Sequence, residues 1–260
     1  MIGWTLLAVL ILTVPGAARA QSLPDFSGIS YEQRIGDQLP LQTTFHDENG
    51  RDVRLADLSG KPMILALVYF RCPNICGVVR ADLFDALRRS GMTAGRDYSL
   101  VAISIDPAET SADAKAAKAD EVHRFQAPGA EAHWHFLTGD ADAVRAISDV
   151  VGFRYRFDAQ TRQFMHPVGI VFATPTGGLS SYLLGVGYQP SDLRLAVTRA
   201  EKGSLAAAAL PVLLLCFHFD PTTGRYTLAI MKLLRLVSIL TVLVVGLVLY
   251  LAFWREGRGA

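Results

Sequence analysis

Apolar residues in this chain come in short blocks, and their period switches between that of a strand and that of a helix. Residues 63–70 form an unbroken apolar run, which predicts a buried strand. Residues 75–90 follow with Val79, Leu83, Phe84 and Leu87 at helical spacing and Gly91 at the close. Residues 98–105 are a second apolar strand ending at Asp106-Pro107, and the Ala-rich stretch 111–125 reads as a largely solvated helix with its Asp and Lys residues outward. A short strand at 134–137 precedes a helix capped by Asp140, with Val144, Ile147 and Val151 on one face and Gly152 as its stop. Residues 168–173 and 179–184 make a hairpin across Thr174-Pro175-Thr176-Gly177-Gly178, and a last helix starts at Ser191 or Asp192. Upstream, Asp47-Glu48-Asn49-Gly50 is a turn between 41–46 and 52–55. The order β-α-β-α-β-α-β-β-α predicts an α/β sheet with helices on both faces, and no internal repeat interrupts it.

Composition alters the picture at the two ends. Hydrophobic residues make up 51% of the chain and mean hydropathy is +0.28, high for a soluble domain. Residues 1–20 account for part of this. An apolar core at 6–14 leads through Pro15-Gly16 to Ala18-Arg19-Ala20, the pattern of a secretory signal cleaved before Gln21, although no Lys or Arg precedes the core. A polar lead-in, 21–40, follows. Residues 236–254 carry no charge. As a helix they span about 28 Å, near the roughly 30 Å of a hydrocarbon core, so 228–254 is predicted to cross a membrane. The apolar connector 201–227, broken by Pro211, carries Cys216 and His218, and 255–260 is a short tail. An exported domain with a C-terminal anchor gives a single-pass protein of a bacterial cytoplasmic membrane, its main domain facing the periplasm and its tail the cytoplasm. Net charge is +1 with no dense basic stripe, which argues against nucleic acid as a partner.

Chemistry concentrates at Cys72-Pro73-Asn74-Ile75-Cys76, where the first strand turns into the first helix. Two thiols at a helix N-terminus are biased towards thiolate. Such a pair can form a disulfide, exchange one, or hold a soft metal. Three cysteines are too few for a disulfide scaffold. A third metal ligand is available in His166, just before the strand at 168–173, which an arrangement like that of thioredoxin, with one β-α unit inserted, brings to face the start of the cysteine helix. Pro167 follows it, at the place where thioredoxins have a cis-proline.

These residues resemble the Sco/SenC family of copper-binding, thioredoxin-like proteins that help assemble cytochrome c oxidase. The resemblance covers about residues 35–200. It rests on Tyr69-Phe70-Arg71-Cys72-Pro73-Asn74-Ile75-Cys76, Ser104-Ile105-Asp106-Pro107, Trp134-His135-Phe136-Leu137-Thr138-Gly139, Val151-Gly152-Phe153-Arg154-Tyr155 and His166, in that order. It implies a copper-binding domain over 41–200, with copper, Cu(I) or Cu(II), on Cys72, Cys76 and His166. It further implies delivery to the CuA site of oxidase subunit II, or to another periplasm-facing cupro-protein. Two departures stand out. Met165-His166-Pro167 stands where many family members have Asp-His-Ser, removing an acidic neighbour from the histidine, and the anchor is C-terminal where many relatives have an N-terminal one.

Competing readings use the same residues. A membrane-anchored thiol–disulfide oxidoreductase acting on the cysteines of the CuA site needs Cys72 and Cys76 but not His166. A peroxidase wants a hydroxyl- and Arg-lined thiolate pocket that the motif does not supply. The chain reads as a metallochaperone more than a turnover enzyme. Arg71 is a candidate for tuning a thiol or guiding an acidic partner, and Asp106 for starting a turn. Met165, Cys216, His133 and His135 read as packing or surface residues before they read as ligands.

Overall fold

The computed structural model describes residues 27–71, 76–206, 238–241 and 243–246. In chain order the strands and helices begin with β1 (Ser30–Tyr31), β2 (Thr44–His46), β3 (Asp52–Arg54), β4 (Met63–Val68) and α1 (Cys76–Arg89). Next come β5 (Ser99–Ser104), α2 (Ser111–Phe125), the one-turn α3 (Ala130–His133), β6 (Trp134–Leu137) and α4 (Ala141–Val150). The two short strands β7 (Phe153–Arg154) and β8 (Arg156–Asp158) lead to β9 (Gln163–Met165), β10 (Gly169–Ala173), β11 (Leu179–Leu184) and α5 (Pro190–Glu201).

The central sheet has the order β11-β10-β4-β5-β6. β4, β5 and β6 run parallel, joined by helical crossovers, while β10 lies antiparallel to β4 and β11 antiparallel to β10. This is a thioredoxin-like arrangement in which α2 and β6 are the inserted unit, adding a strand beyond β5. β4 is buried along its whole length, as a central strand covered on both faces must be. Alternation sends Ile64, Ala66 and Val68 into the core under α1, α2 and α5, and Met63, Leu65 and Leu67 into the core under α4 and the β2–β3 hairpin. In the first of these cores Phe84 of α1 stacks on Trp134 of β6 at 4.6 Å between ring centroids.

Local chemistry sets most of the boundaries. The Asp140 carboxylate accepts the Ala143 N–H at 2.8 Å and starts α4. Thr110 and Asp113 form a reciprocal box at the start of α2. The last helix begins at Pro190, ahead of the expected Ser191, because proline fits the first helical position without needing its missing N–H. α2 keeps the expected solvated face at Lys115 and Asp120, but its inner side is more enclosed than expected. It packs against both β6 and α1, so Lys118 and Glu121 are nearly enclosed and pair with Glu48 and Arg80. Two strand pairs were not foreseen: β1 with β7, and the hairpin β8–β9, where Phe157 lies opposite Phe164.

The predicted signal at 1–20 and most of the connector 201–227 lie outside the described residues. Residues 204–206 turn back along β11, with the Ser180 hydroxyl donating to the Ser204 carbonyl and the Ala206 N–H to the Ser180 carbonyl. Of the predicted span 228–254, residues 238–241 and 243–246 are described; they are helical and exposed. No helix among the described residues is long and apolar enough to cross a membrane.

Burial of the ring of His135 on β6 lowers its pKa below the ordinary 6.5, with the Glu48 carboxylate acting in the opposite direction. The fold therefore favours the neutral ring. The corresponding stability is fully present above about 6.5 and declines as pH falls through that value towards the lowered folded pKa. Urea unfolding midpoints should be lower at about pH 5.5 than at about pH 7.5, and His135→Gln should shrink the difference. An unchanged difference in that variant would assign the fall to other groups.

Candidate metal centre

Parallel pairing brings the C-terminal ends of β4 and β5 to one edge of the sheet, and the antiparallel β10 brings its beginning to the same edge. Three pieces of chain therefore converge there: residues 69–71 leading to Cys72, the loop 104–109, and His166 just ahead of β10. This is the carboxyl end of a parallel sheet, where open α/β folds place their sites.

The segment after β4 is held by charged side chains. Glu109, whose side chain is 0% exposed, accepts the Phe70 N–H at 2.8 Å, the Arg71 N–H at 2.5 Å and the Ser104 hydroxyl at 2.6 Å. Arg80, on α1, donates to the Tyr69 carbonyl at 3.1 Å and to Glu121 at 3.2 Å. Burial raises the Glu121 carboxyl above its usual range, and the Arg80 guanidinium draws it back only in part. Arg71 is itself exposed, and its guanidinium lies 3.7–3.8 Å from Asp106, Glu109 and Asp113.

His166 is 6% exposed. Its ring meets Tyr69 edge-on at 5.9 Å and Phe153 at 5.9 Å, and it shares a pocket with Val79 and Arg80, one turn along α1 from Cys76. Nδ1 lies 2.9 Å from the Pro167 carbonyl oxygen, which can only accept, so Nδ1 carries the proton and Nε2 the lone pair. Burial lowers the His166 pKa, against the smaller effect of that hydrogen bond, and keeps the ring neutral. A neutral imidazole whose other nitrogen donates to a backbone carbonyl has the form of a metal ligand. The Pro167 carbonyl thus sets the tautomer of the ring without an acidic neighbour. The bond before Pro167 is not cis; no cis peptide occurs among the described residues.

Of the three predicted ligands, His166 is placed at the expected edge. Cys72 lies outside the described residues. Cys76 opens α1 as expected, and the description of it stops at its backbone. Met165 lies on β9 with its sulfur 4.0 Å from the Arg156 guanidinium. Asp106 accepts the Ala108 N–H, as a turn-forming residue does. His46 pairs with Asp52 at the surface. No group of three or more His, Cys, Asp or Glu side chains suited to a metal occurs among the described residues, which exclude both thiols. Sequence reasoning missed Glu109 and Arg80. A lone acid in a loop and a lone arginine on a helix carry no local sign of burial, and only the position of Glu109 just after Asp106-Pro107 hinted at it.

The SCO1/SenC family model matches residues 35–197. A SCO1 protein homolog of Bacillus subtilis is 27% identical over 112 residues, which covers 41% of this chain and 54% of that relative's length. Among solved structures, an Aquifex aeolicus protein described as a putative electron transfer protein matches 65% of this chain and 95% of its own at 24% identity, with a TM-score of 0.57. Arabidopsis thaliana ScoI, crystallised with copper bound, matches 65% of this chain and 99% of its own at 19% identity, with a TM-score of 0.51. At these identities the solved structures speak for the fold alone. The family match runs from just after β1 into α5 and so takes in nearly all of the folded unit around the histidine edge: the chain belongs to the SCO1/SenC family.

Proposed function

We infer that this protein carries copper on Cys72, Cys76 and His166 and hands it to a copper site of a respiratory oxidase, most specifically the CuA site of cytochrome c oxidase subunit II. The single observation that carries the reading is the state of His166: buried, neutral, with Nδ1–H given to a carbonyl and Nε2 bearing the lone pair. A redox pair needs no such histidine. Two thiolates and one imidazole suit copper, with Cu(I) favoured by the sulfur ligands. Copper is cargo in this reading, and a ligand set of two thiols and one histidine fits a task that ends in release. The proposed setting is a periplasmic domain tethered by residues 228–254, which keeps the carrier at the membrane where an oxidase is assembled.

Reducing the full chain, loading it anaerobically with Cu(I) and measuring copper per chain tests the reading. The expected result is about one tightly held copper, lost in Cys72→Ser and Cys76→Ser. No tight copper, together with a Cys72–Cys76 disulfide that cycles readily against small thiols, would instead make the protein a thiol–disulfide oxidoreductase.

A further inference from the structure

β4 ends at Val68, and Ile105 N–H closes the ladder on the Val68 carbonyl. Beyond that point the next three residues are gripped by side chains. The Phe70 and Arg71 N–H groups go to Glu109, and the Tyr69 carbonyl goes to Arg80. Each arm is held from behind, Glu109 by the Ser104 hydroxyl and Arg80 by Glu121. The two arms have opposite charge and come from different elements, one from the loop after β5 and one from the helix that Cys76 opens. Arg80 therefore ties the chain entering the cysteine loop to the helix on which that loop ends.

Buried charges are a costly way to stabilise a fold, and apolar groups of similar volume often serve as well or better. What charged arms supply that apolar packing does not is directional hold on particular backbone groups. We propose that Glu109 and Arg80 are positioning residues of the copper centre, gripping residues 69–71 from two sides and so fixing the direction in which the chain leaves β4 towards the cysteines. This rests on the reading of Cys72, Cys76 and His166 as copper ligands. A fixed approach favours a preset arrangement of ligands, and it restrains the adjustment by which Cys72 meets the narrow geometry of a disulfide. Loosening the grip should weaken copper binding and favour the disulfide.

The test compares the full chain with Glu109→Gln and with Asp47→Asn. Asp47 is a matched control: a largely buried carboxylate that also accepts two backbone N–H groups, from Asn49 and Arg51, in a hairpin turn that takes no part in the centre. Three quantities are read: melting temperature, Cu(I) affinity against a competing chelator, and the dithiol–disulfide equilibrium of the copper-free chain in thiol buffers. Glu109→Gln should lower Cu(I) affinity about 10- to 100-fold. It should also move the equilibrium about tenfold towards the disulfide, or about 30 mV. Asp47→Asn should lower the melting temperature and leave the other two unchanged. If Glu109→Gln loses melting temperature alone, the proposal is overturned and Glu109 is a structural anchor. If the unaltered chain takes up no tight copper, the copper reading fails by itself and the disulfide equilibrium decides the grip: a shift supports it and no shift overturns it. Should Glu109→Gln not fold, Arg80→Lys carries the same readouts, with smaller shifts in the same directions expected and their absence counting against the proposal.

Discussion

His166→Ala should lower the Cu(I) affinity of the reduced chain by at least about a hundredfold while leaving the Cys72–Cys76 disulfide able to form and break. Losing an orienting partner of a ligand typically costs 10- to 100-fold, and losing the ligand itself should reach or exceed the upper end. Two thiolates remain and still hold Cu(I), in a two-coordinate form, so binding weakens without vanishing. The disulfide chemistry is intrinsic to the cysteines and does not involve the imidazole. Removing the ring also empties space between Tyr69 and Phe153, at a cost of about 2 kcal/mol. Affinity must therefore be compared at a temperature where the variant is folded. An affinity equal to that of the unaltered chain would remove His166 from the site.

Phe84→Ala should destabilise the domain by about 3–5 kcal/mol, read as a large drop in the urea midpoint at unchanged slope. Phe84 is 1% exposed, stacks on Trp134 and lies within 6.1 Å of Phe136 and 5.9 Å of Phe125 between ring centroids. It is the point at which the cysteine helix α1 meets β6 and α2. Its neighbours are large aromatic rings fixed by their own contacts, so the space left behind collapses poorly, which places the cost in the upper range for such truncations. A loss below about 1 kcal/mol would mean that α1 settles back onto the sheet. That outcome would contradict the tight seating of α1 described above.

How much of this was legible in the sequence depended on whether a signal was local. The bounds of α2, β6 and β11 follow from a cap, a short aromatic run and a Gly-rich turn, all within a few residues. β8 and β9 were not legible, because three residues each, with Phe157 half exposed, show no burial period. The unforeseen enclosure of one side of α2 has a related cause. Lys118 and Glu121 look like solvent-facing charges until Glu48 and Arg80, distant in sequence, arrive beside them. In the site, the CxxxC pair announced itself by spacing, and His166 stood out as a lone histidine before an apolar strand. The carbonyl that sets its tautomer, and the grip of Glu109 and Arg80 on residues 69–71, depend on tertiary approach and leave no pattern in one sequence.

The strand that carries the chain on from His166 has a consequence for when the proposed copper centre is complete. Cys72 and Cys76 are close neighbours in the chain, whereas His166 reaches the sheet edge only when β10, far along the chain, docks antiparallel against β4. Such long-range pairing is among the later and slower events of folding. On the proposed ligand set, a chain caught before that step offers two thiolates and no imidazole, a weaker hold on copper than that of the finished domain. If Cys72, Cys76 and His166 hold copper as proposed, strong loading is reserved for molecules whose central sheet is complete, and the position of one histidine acts as a built-in check on which molecules take on a reactive metal.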